Sequence, residues 1–351
     1  MWIASAAGIV SALDVVALAQ RTAPAPGPRD LSARARPADP IPPALESMVD
    51  TERRFAARAG VIGWKDAFLE FFADGALGFE NGAVGFAKEQ IGGQPDPPPD
   101  FQLLWEPRWG DVSASGDLGY LTGPSRSILP SRNGGRPRHS VYASVWKRQR
   151  DGTFQVVMDV GVPIPGPPSF APGFTRAPHD SRFTGDYDER TPPLATADGV
   201  LNSDLRTSQA RAYRGRLAPG ARLHRPGVQP VVGDARIATF LRTQPTFLAA
   251  DTRSAESSQA GDLGYTWGTY RHRLARGAQA RGTQARGAQA LPGGARGGTA
   301  RGGNAAPAPA RGGTAGQAPA VPDVEEGFYV RVWVRERAGQ WRIALDVLQP
   351  Q

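Results

Sequence analysis

The sequence predicts an α+β fold of two tandem domains, each with N-terminal helices packed on an antiparallel sheet. GDLGYLTG at 116–123 returns as GDLGYTWG at 261–268, 145 residues later. VWKRQRDGTFQVVMDV at 145–160 returns as VWVRERAGQWRIALDV at 332–347. In both halves, helical periodicity precedes strand-like runs. A duplicated domain, with helices first and a strand meander after them, accounts for all three observations.

The offset between the halves changes inside the second one. FADGA at 72–76 and LAPGA at 217–221 are again 145 residues apart, whereas the VW strands are 187 apart. The added residues correspond to 274–322, which carry ARGAQ-type repeats and RGG triplets with six Arg and no acidic residue. We expect a solvated low-complexity loop at a hairpin tip, where added length costs little. Because it has no aromatic residue for base stacking, no specific nucleic acid is expected as a partner.

In the first half, apolar residues fall on one face of a predicted helix over 44–60. WKDAFLEFFAD at 64–74 continues with helical spacing, and Gly75 is typical of a C-cap. Gly116-Asp117 and Asp151-Gly152 predict turns between strands. The remaining predicted elements are a short strand at ALGFE, a short helix at AVGFAKEQI, and strands at 101–115, 117–128, 139–150 and 153–163.

The second half repeats this order. Its predicted elements are helices over 196–217, a strand near 221–225, a short helix over 233–242 and four strands. The predicted boundaries are a signal peptide at 1–19, a disordered linker at 20–43, the first domain at 44–163, an interdomain linker at 164–195, and the second domain at 196–349 with the insertion 274–322.

Charge and cysteine content limit the function classes. The formal net charge is +8, but the six Arg of the insertion account for most of it, so a basic nucleic-acid-binding domain is not indicated. The absence of cysteine excludes disulfides, thiol catalysis and cysteine metal sites.

The N-terminus is apolar and ends in Ala17-Leu18-Ala19, which is typical of a secretory cleavage site. Asp14 interrupts the apolar run, and no Lys or Arg precedes it. We expect export to the periplasm or the exterior, or a cytoplasmic location if this segment is not a working signal. The run is too short for a permanent membrane span.

Five stretches of the first half carry a resemblance to a known family, namely ALESMVDTERRFAARAG, FLEFFADGALGF, WEPRW, GDLGYLTG and VYASVWKRQRDGTFQVVMDV. They resemble the nuclear transport factor 2-like superfamily, whose curved α+β cone is shared by ketosteroid isomerase, scytalone dehydratase and polyketide cyclases. The similarity covers 44–163 and, less fully, 196–349, and is greatest to a branch of unknown function. The second half departs from it by its insertion and by Pro219 in place of Asp74. The resemblance implies one open pocket per cone and pairing of the two domains within the chain.

The superfamily's enzymes use acid–base groups in a dry cone, as when ketosteroid isomerase combines an Asp base with a Tyr and a neutral Asp. The corresponding catalytic candidates are Asp159, Tyr120, Tyr142 and His139 in the first half. The corresponding ligand-binding candidates are Trp105 in the first half and Tyr265, Tyr329, Asp346 and His272 in the second.

The orientation of Asp159 decides between two interpretations. If it points into the cone, desolvation raises its pKa and makes it a base. Strict strand alternation instead puts Phe154, Val156, Met158 and Val160 on one face and Asp159 on the other, facing solvent, and this interpretation is favoured.

Two main function classes remain. In one, each cone binds a small apolar or amphipathic molecule without chemistry, and in the other at least one cone is an isomerase, dehydratase or cyclase. The first is favoured because no acid–base set is duplicated with the same partners. A purely structural pseudo-dimer, with both cones filled, is a third class. The four His residues show no metal-ligand spacing, so neither a metal nor a cofactor is expected.

Overall fold

The computed structural model describes residues 41–80, 83–131, 133–178, 193–273, 324–336 and 338–351. The predicted signal peptide, most of the first linker and the insertion 274–322 lie outside these residues. None of the described helices is long and apolar enough to cross a membrane.

The first half forms three helices and a mixed sheet. The elements are α1 (Pro43–Ile62), α2 (Trp64–Phe71), β1 (Phe72–Glu80), β2 (Ala83–Phe86), α3 (Ala87–Gly92), β3 (Gln102–Trp105), β4 (Trp109–Val112), β5 (Leu118–Ile128), β6 (Arg138–Arg148), β7 (Phe154–Pro163) and β8 (Thr175–Arg176). The sheet order is β2-β1-β7-β6-β5-β4-β8, and β3 also pairs with β5.

The second half repeats this plan. Its elements are α4 (Leu194–Leu205), α5 (Gln209–Tyr213), β9 (Leu217–His224), β10 (Val231–Val232), α6 (Asp234–Leu241), β11 (Phe247–Ser257), β12 (Leu263–Arg273), β13 (Val324–Arg335) and β14 (Trp341–Pro350). The sheet order is β10-β9-β14-β13-β12-β11.

Three local predictions differ from the structure. The second helix ends at Phe71, because the next residue, Phe72, already pairs with Val156 of β7. The predicted strand 101–115 is two strands, since Pro107 between them has no backbone N–H to donate. AVGFAKEQI is half strand and half helix. Strands β1 and β9 join their sheets in parallel, so the sheets are mixed rather than purely antiparallel.

Strand register shows the duplication at the level of single residues. In the first half, β6 and β7 pair Val145 with Met158 but Trp146 with Val156, which leaves Val157 as a bulge. In the second half, β13 and β14 show the same shift between Val332 and Trp333. A β-bulge is a regular structural feature of sheets rather than a defect, and the two halves have it at equivalent positions.

Each sheet has one face toward its own helices and one toward the other sheet. The helix faces pack on separate apolar clusters in the two halves. The opposite faces form one shared core, which is the intramolecular pairing that the tandem sequence predicts. Its largest members are Trp109, Leu118, Tyr120, Met158, Ile164, Leu263, Tyr265 and Leu345.

The repeated GDLGY motif forms a reciprocal clamp between the halves. The backbone N–H of Gln259 donates to Asp117 Oδ2 at 3.0 Å, and the N–H of Ala114 donates to Asp262 Oδ2 at 2.8 Å. Since Ala114 and Gln259 are themselves 145 residues apart, the two contacts are equivalent. Each carboxylate therefore holds the turn of the other half.

Each clamp carboxylate is also fixed within its own turn. Ser113 Oγ donates to Asp117 Oδ1 at 2.8 Å, and Ser258 Oγ donates to Asp262 Oδ1 at 2.9 Å. The glycine before each Asp has a positive φ of 68° or 69°, which glycine adopts without steric cost. Burial acts to raise the pKa of Asp117, but the hydrogen bonds from Ser115, the Gln259 amide and Ser113 outweigh it and leave that pKa lowered.

Replacing Asp262 by Ala should lower the free energy of unfolding by about 1.5–3 kcal/mol, because the Ala114 N–H and the buried Ser258 hydroxyl lose a charged acceptor. Asp117→Ala should have a smaller effect, since that carboxylate is half-buried. The contribution of Asp117 to the free energy of unfolding is present above the ordinary aspartate pKa. It is lost as the pH falls through the lowered pKa that Asp117 has in the folded state. Urea denaturation measures these effects.

Asp151→Ala is the matched control, because Asp151 accepts hydrogen bonds from Thr153 of its own turn and is exposed. An Asp262→Ala loss no larger than that of the control would contradict the clamp.

Candidate functional site

The bulge at Val157 decides where Asp159 points. Met158 and Val160 belong to the core between the sheets, whereas Phe154 and Val156 pack with the helices. The strict alternation predicted for this strand is therefore wrong, because Val157 shifts the register by one residue. After the bulge, Asp159 lies on the helix side of the sheet, and the interpretation that it faces bulk solvent is wrong as well.

Glu52 on α1 is buried on the same side of the sheet. Its Oε1 accepts from Trp105 Nε1 at 2.6 Å, and its Oε2 accepts from Ser144 Oγ and Trp146 Nε1, both at 3.0 Å. All three donors are neutral. Burial outweighs their effect and raises the pKa of Glu52 to about 7.

Asp159 is the second carboxyl group of this cone and is half-buried. It stands directly opposite Ser144 in the β6–β7 pair. The surrounding protein desolvates it and the charge of Glu52 repels it, so the pKa of Asp159 is raised to about 8, although the Val160 backbone amide acts in the other direction. Among the described residues, no side chain donates a hydrogen bond to it.

Tyr142 completes the polar end of the cone. It pairs across the strands with Gly161, and its buried hydroxyl has no hydrogen-bond partner within the described part of the chain. Burial, Glu52, Asp159 and Glu106 all raise the pKa of Tyr142 well above its usual value. Gly161 is exposed, and a Cβ added there would meet no atom within 4 Å, so the position beside the tyrosine is unfilled and open to solvent. We call Glu52, Tyr142, Ser144, Asp159 and Gly161 the first-cone site.

Aromatic side chains line the apolar side of this cone. The ring centroids of Phe55 and Trp105 are 4.8 Å apart, and those of Phe68 and Trp105 are 5.8 Å apart. Phe68 and Trp105 are half-buried. The cone therefore combines an aromatic wall with two carboxyl groups and one phenol.

The second cone places a cation where the first has a serine. Arg331 pairs across the strands with Asp346, as Ser144 pairs with Asp159 in the first half. The equivalent residues of the two pairs are 187 positions apart in the sequence. Arg331 Nη1 lies 2.7 Å from Asp198 Oδ1, and Arg331 Nε lies 2.8 Å from Asp346 Oδ2. All three side chains are fully buried.

Further side chains close the second cone. Arg225 Nη2 lies 2.7 Å from Asp346 Oδ1, and Tyr213 Oη donates to Asp346 Oδ2 at 2.6 Å. Burial acts to raise the pKa of Asp346, but Arg225 and Arg331 outweigh it and lower that pKa. Leu348, which is buried, stands opposite Tyr329 where the first half has Gly161 opposite Tyr142. At the positions equivalent to Ser144 and Gly161, the second cone therefore carries the larger side chains Arg331 and Leu348, both buried.

The predicted candidates separate into groups. Asp159, Tyr142 and Trp105 come together in the first cone, and Asp346 and Tyr329 in the second. Tyr120 and Tyr265 lie in the core between the sheets, because their strands turn those positions away from the helices. His139 lies near the start of β6 on the same side as Tyr120 and does not join Asp159. His272 lies 3.4 Å from Glu325 and packs edge-on against Phe247 at the end of β12.

Sequence reasoning missed Glu52. A signal was present, since Glu52 continues the apolar face of α1 set by Leu45, Met48 and Val49 at helical spacing. A carboxylate in an apolar helix stripe is expected to be buried with partners. No group of three or more His, Asp or Glu side chains in the described ranges could hold a metal ion.

No family model matches the sequence, and no curated protein matches it significantly. A protein of unknown function from Mycobacterium tuberculosis is 12% identical, covering 44% of this chain and 72% of that one, with a TM-score of 0.27. A candidate ketosteroid isomerase from Shewanella frigidimarina is 14% identical, covering 33% and 95%, with a TM-score of 0.26. A candidate SnoaL-like polyketide cyclase from Jannaschia is 16% identical, covering 36% and 91%, with a TM-score of 0.25. Nuclear transport factor 2-like proteins are thus found among the solved structures similar to this chain.

Replacing Arg331 by Met should lower the free energy of unfolding by about 3–5 kcal/mol, because it leaves Asp198 and Asp346 buried beside each other without their shared cation. Arg271→Met removes an exposed ion pair to Glu326 on the neighbouring strand β13 and should cost about 1 kcal/mol or less. Chemical denaturation of both variants gives the comparison. Equal losses would mean that Arg331 does not neutralise the second cone.

Proposed function

We propose that the first cone is the ligand-binding site of this protein and that it takes a small, largely apolar molecule whose polar group lies at Asp159 and Tyr142. The observation that carries the proposal is the exchange at two equivalent positions. The first cone has the smaller residues Ser144 and Gly161 at the positions where the second has Arg331 and Leu348, and a Cβ added to Gly161 would meet no atom within 4 Å.

The chemistry of the lining supports this ligand class. Ligand sites are mostly apolar and carry a few convergent polar groups. Here Phe68 and Trp105 offer half-buried aromatic surface, and the Tyr142 hydroxyl is a buried donor without a partner among the described residues. The second cone acts as a scaffold, because its interior carboxylates are already neutralised by Arg331 and Arg225.

Proton transfer in the first cone is the second candidate function. Glu52 and Asp159 have pKa values of about 7 and about 8, so both exchange protons near neutral pH, as general acid–base catalysis requires. Asp159 would give or take the proton, and Tyr142 would donate a hydrogen bond to the substrate. Such a site would suit an isomerase, a dehydratase or a cyclase.

Gly161→Leu should abolish ligand binding by filling the first cone as Leu348 fills the second. The probe is N-phenyl-1-naphthylamine, a neutral apolar dye whose fluorescence rises on leaving water. We expect the variant to bind it at least about tenfold more weakly, since the added side chain occupies the space that buries the ligand. Gly199→Leu is the matched control, because Gly199 is exposed and its added Cβ also meets no atom within 4 Å.

Unchanged dye binding by Gly161→Leu, with both variants folded, would contradict the proposed site.

A further inference from the structure

We infer that the molecule bound in the first cone carries an organic cation, such as an amidinium, guanidinium or ammonium group, placed between Glu52 and Asp159. This inference rests on the proposed function of that cone and names the class of its ligand. The cation would occupy the place that the guanidinium of Arg331 takes in the second cone.

The second cone shows what this arrangement of carboxylates accommodates. Each half has one carboxylate on its first helix, Glu52 or Asp198, and one on β7 or β14, Asp159 or Asp346. The two carboxylates flank an equivalent position on the neighbouring strand. In the second half that position is Arg331, whose nitrogens lie 2.7 Å from Asp198 and 2.8 Å from Asp346. In the first half the position is Ser144, which is too short to bridge and contacts Glu52 alone of the two carboxylates.

The first cone has the same pair of acids without a cation from the chain. The charged groups that shift the pKa of Asp159 and Tyr142 are all acidic, namely Glu52, Glu106 and, for the tyrosine, Asp159 itself. The nearby Arg108 is engaged, since Nη2 lies 2.6 Å from Glu106 and Nη1 donates to the Ala171 carbonyl at 3.1 Å. Two close carboxylates in a desolvated site must take up a proton or a positive group.

The surrounding rings favour an organic cation over a metal ion. The guanidinium carbon of Arg331 lies 3.8 Å from the ring centroid of Tyr329, and Tyr142 is the equivalent tyrosine of the first cone. Cations are attracted to the faces of aromatic rings. Divalent metals need more oxygen ligands than two carboxylates supply, and the described residues hold no cluster of three. The buried Tyr142 hydroxyl, unpaired in the described structure, provides a further polar contact.

The test compares benzamidine hydrochloride, a flat cation, with benzamide, its neutral isostere, by isothermal titration calorimetry from pH 6 to pH 9. At the upper end we expect benzamidine to bind at least about tenfold more tightly, because charge-assisted hydrogen bonds are stronger than neutral ones. The advantage should shrink as pH falls through about 8 and about 7, since Asp159 and then Glu52 take up protons. Glu106, already paired with Arg108, should contribute little to this dependence.

Two variants locate the cation. Ser144→Arg supplies the guanidinium from within the chain and should abolish benzamidine binding. Asp159→Asn keeps the side-chain shape and should weaken benzamidine at least about tenfold more than it weakens N-phenyl-1-naphthylamine, since the dye is neutral and loses no charge-assisted hydrogen bond. Gly199→Leu again serves as the unaffected control.

Benzamide binding as tightly as benzamidine, or benzamidine binding more tightly at pH 6 than at pH 9, would overturn the cationic ligand. So would loss of the dye and of benzamidine to the same extent in Asp159→Asn. In each of these cases dye binding by the parent protein still supports the proposed pocket. If neither the dye nor benzamidine binds the parent protein, the proposed function and this inference both fail.

Discussion

A carboxylate carried into the interior of a protein must be protonated or paired with a positive group, and this constraint governs both cones. One aspartate of each sheet lies on the helix side, Asp159 of β7 in the first half and Asp346 of β14 in the second. The second half satisfies the constraint with Arg331 and Arg225, which are buried against Asp346. The first half satisfies it with raised pKa values and keeps open space beside Gly161. One backbone plan thus produces a scaffold and a candidate site.

The scaffold depends on features that the two halves share. The bulge between β6 and β7, repeated between β13 and β14, turns the aspartate inward while its apolar neighbours stay in the core between the sheets. The reciprocal contacts of Asp117 and Asp262 hold the two sheets in a fixed relation at the turns. These contacts use the repeated motif itself, so the residues that mark the duplication also join the two halves. Under the proposed function, two exchanges distinguish the cones, Ser144 against Arg331 and Gly161 against Leu348.

The fold was predictable because its signals are local. The repeats, the apolar periodicity of α1 and the turn glycines placed most helices and strands, and the equivalence of Asp159 and Asp346 followed from the offset of 187 residues. The orientation of Asp159 was not predictable, since the bulge at Val157 arises from pairing with β6 and leaves no mark in a run of apolar residues. Tyr120 was a wrong partner for Asp159 because its side chain faces the other sheet. Arg331 was overlooked because a lone arginine in a strand ordinarily faces solvent, and only its two buried carboxylates explain it.

Carbon-detected NMR titration of the aspartate side-chain carboxyls in the full-length protein tests the central claim most directly. The account predicts that Asp159 titrates near pH 8, well above the usual aspartate range, because burial and the charge of Glu52 raise its pKa. It also predicts that Asp346 stays ionised until the pH falls below the ordinary aspartate range, because two arginines hold it charged. Asp159 titrating near pH 4, together with the exposed aspartates, would show that the first cone does not desolvate its carboxylate, and the distinction between an open and a self-neutralised cone would be contradicted.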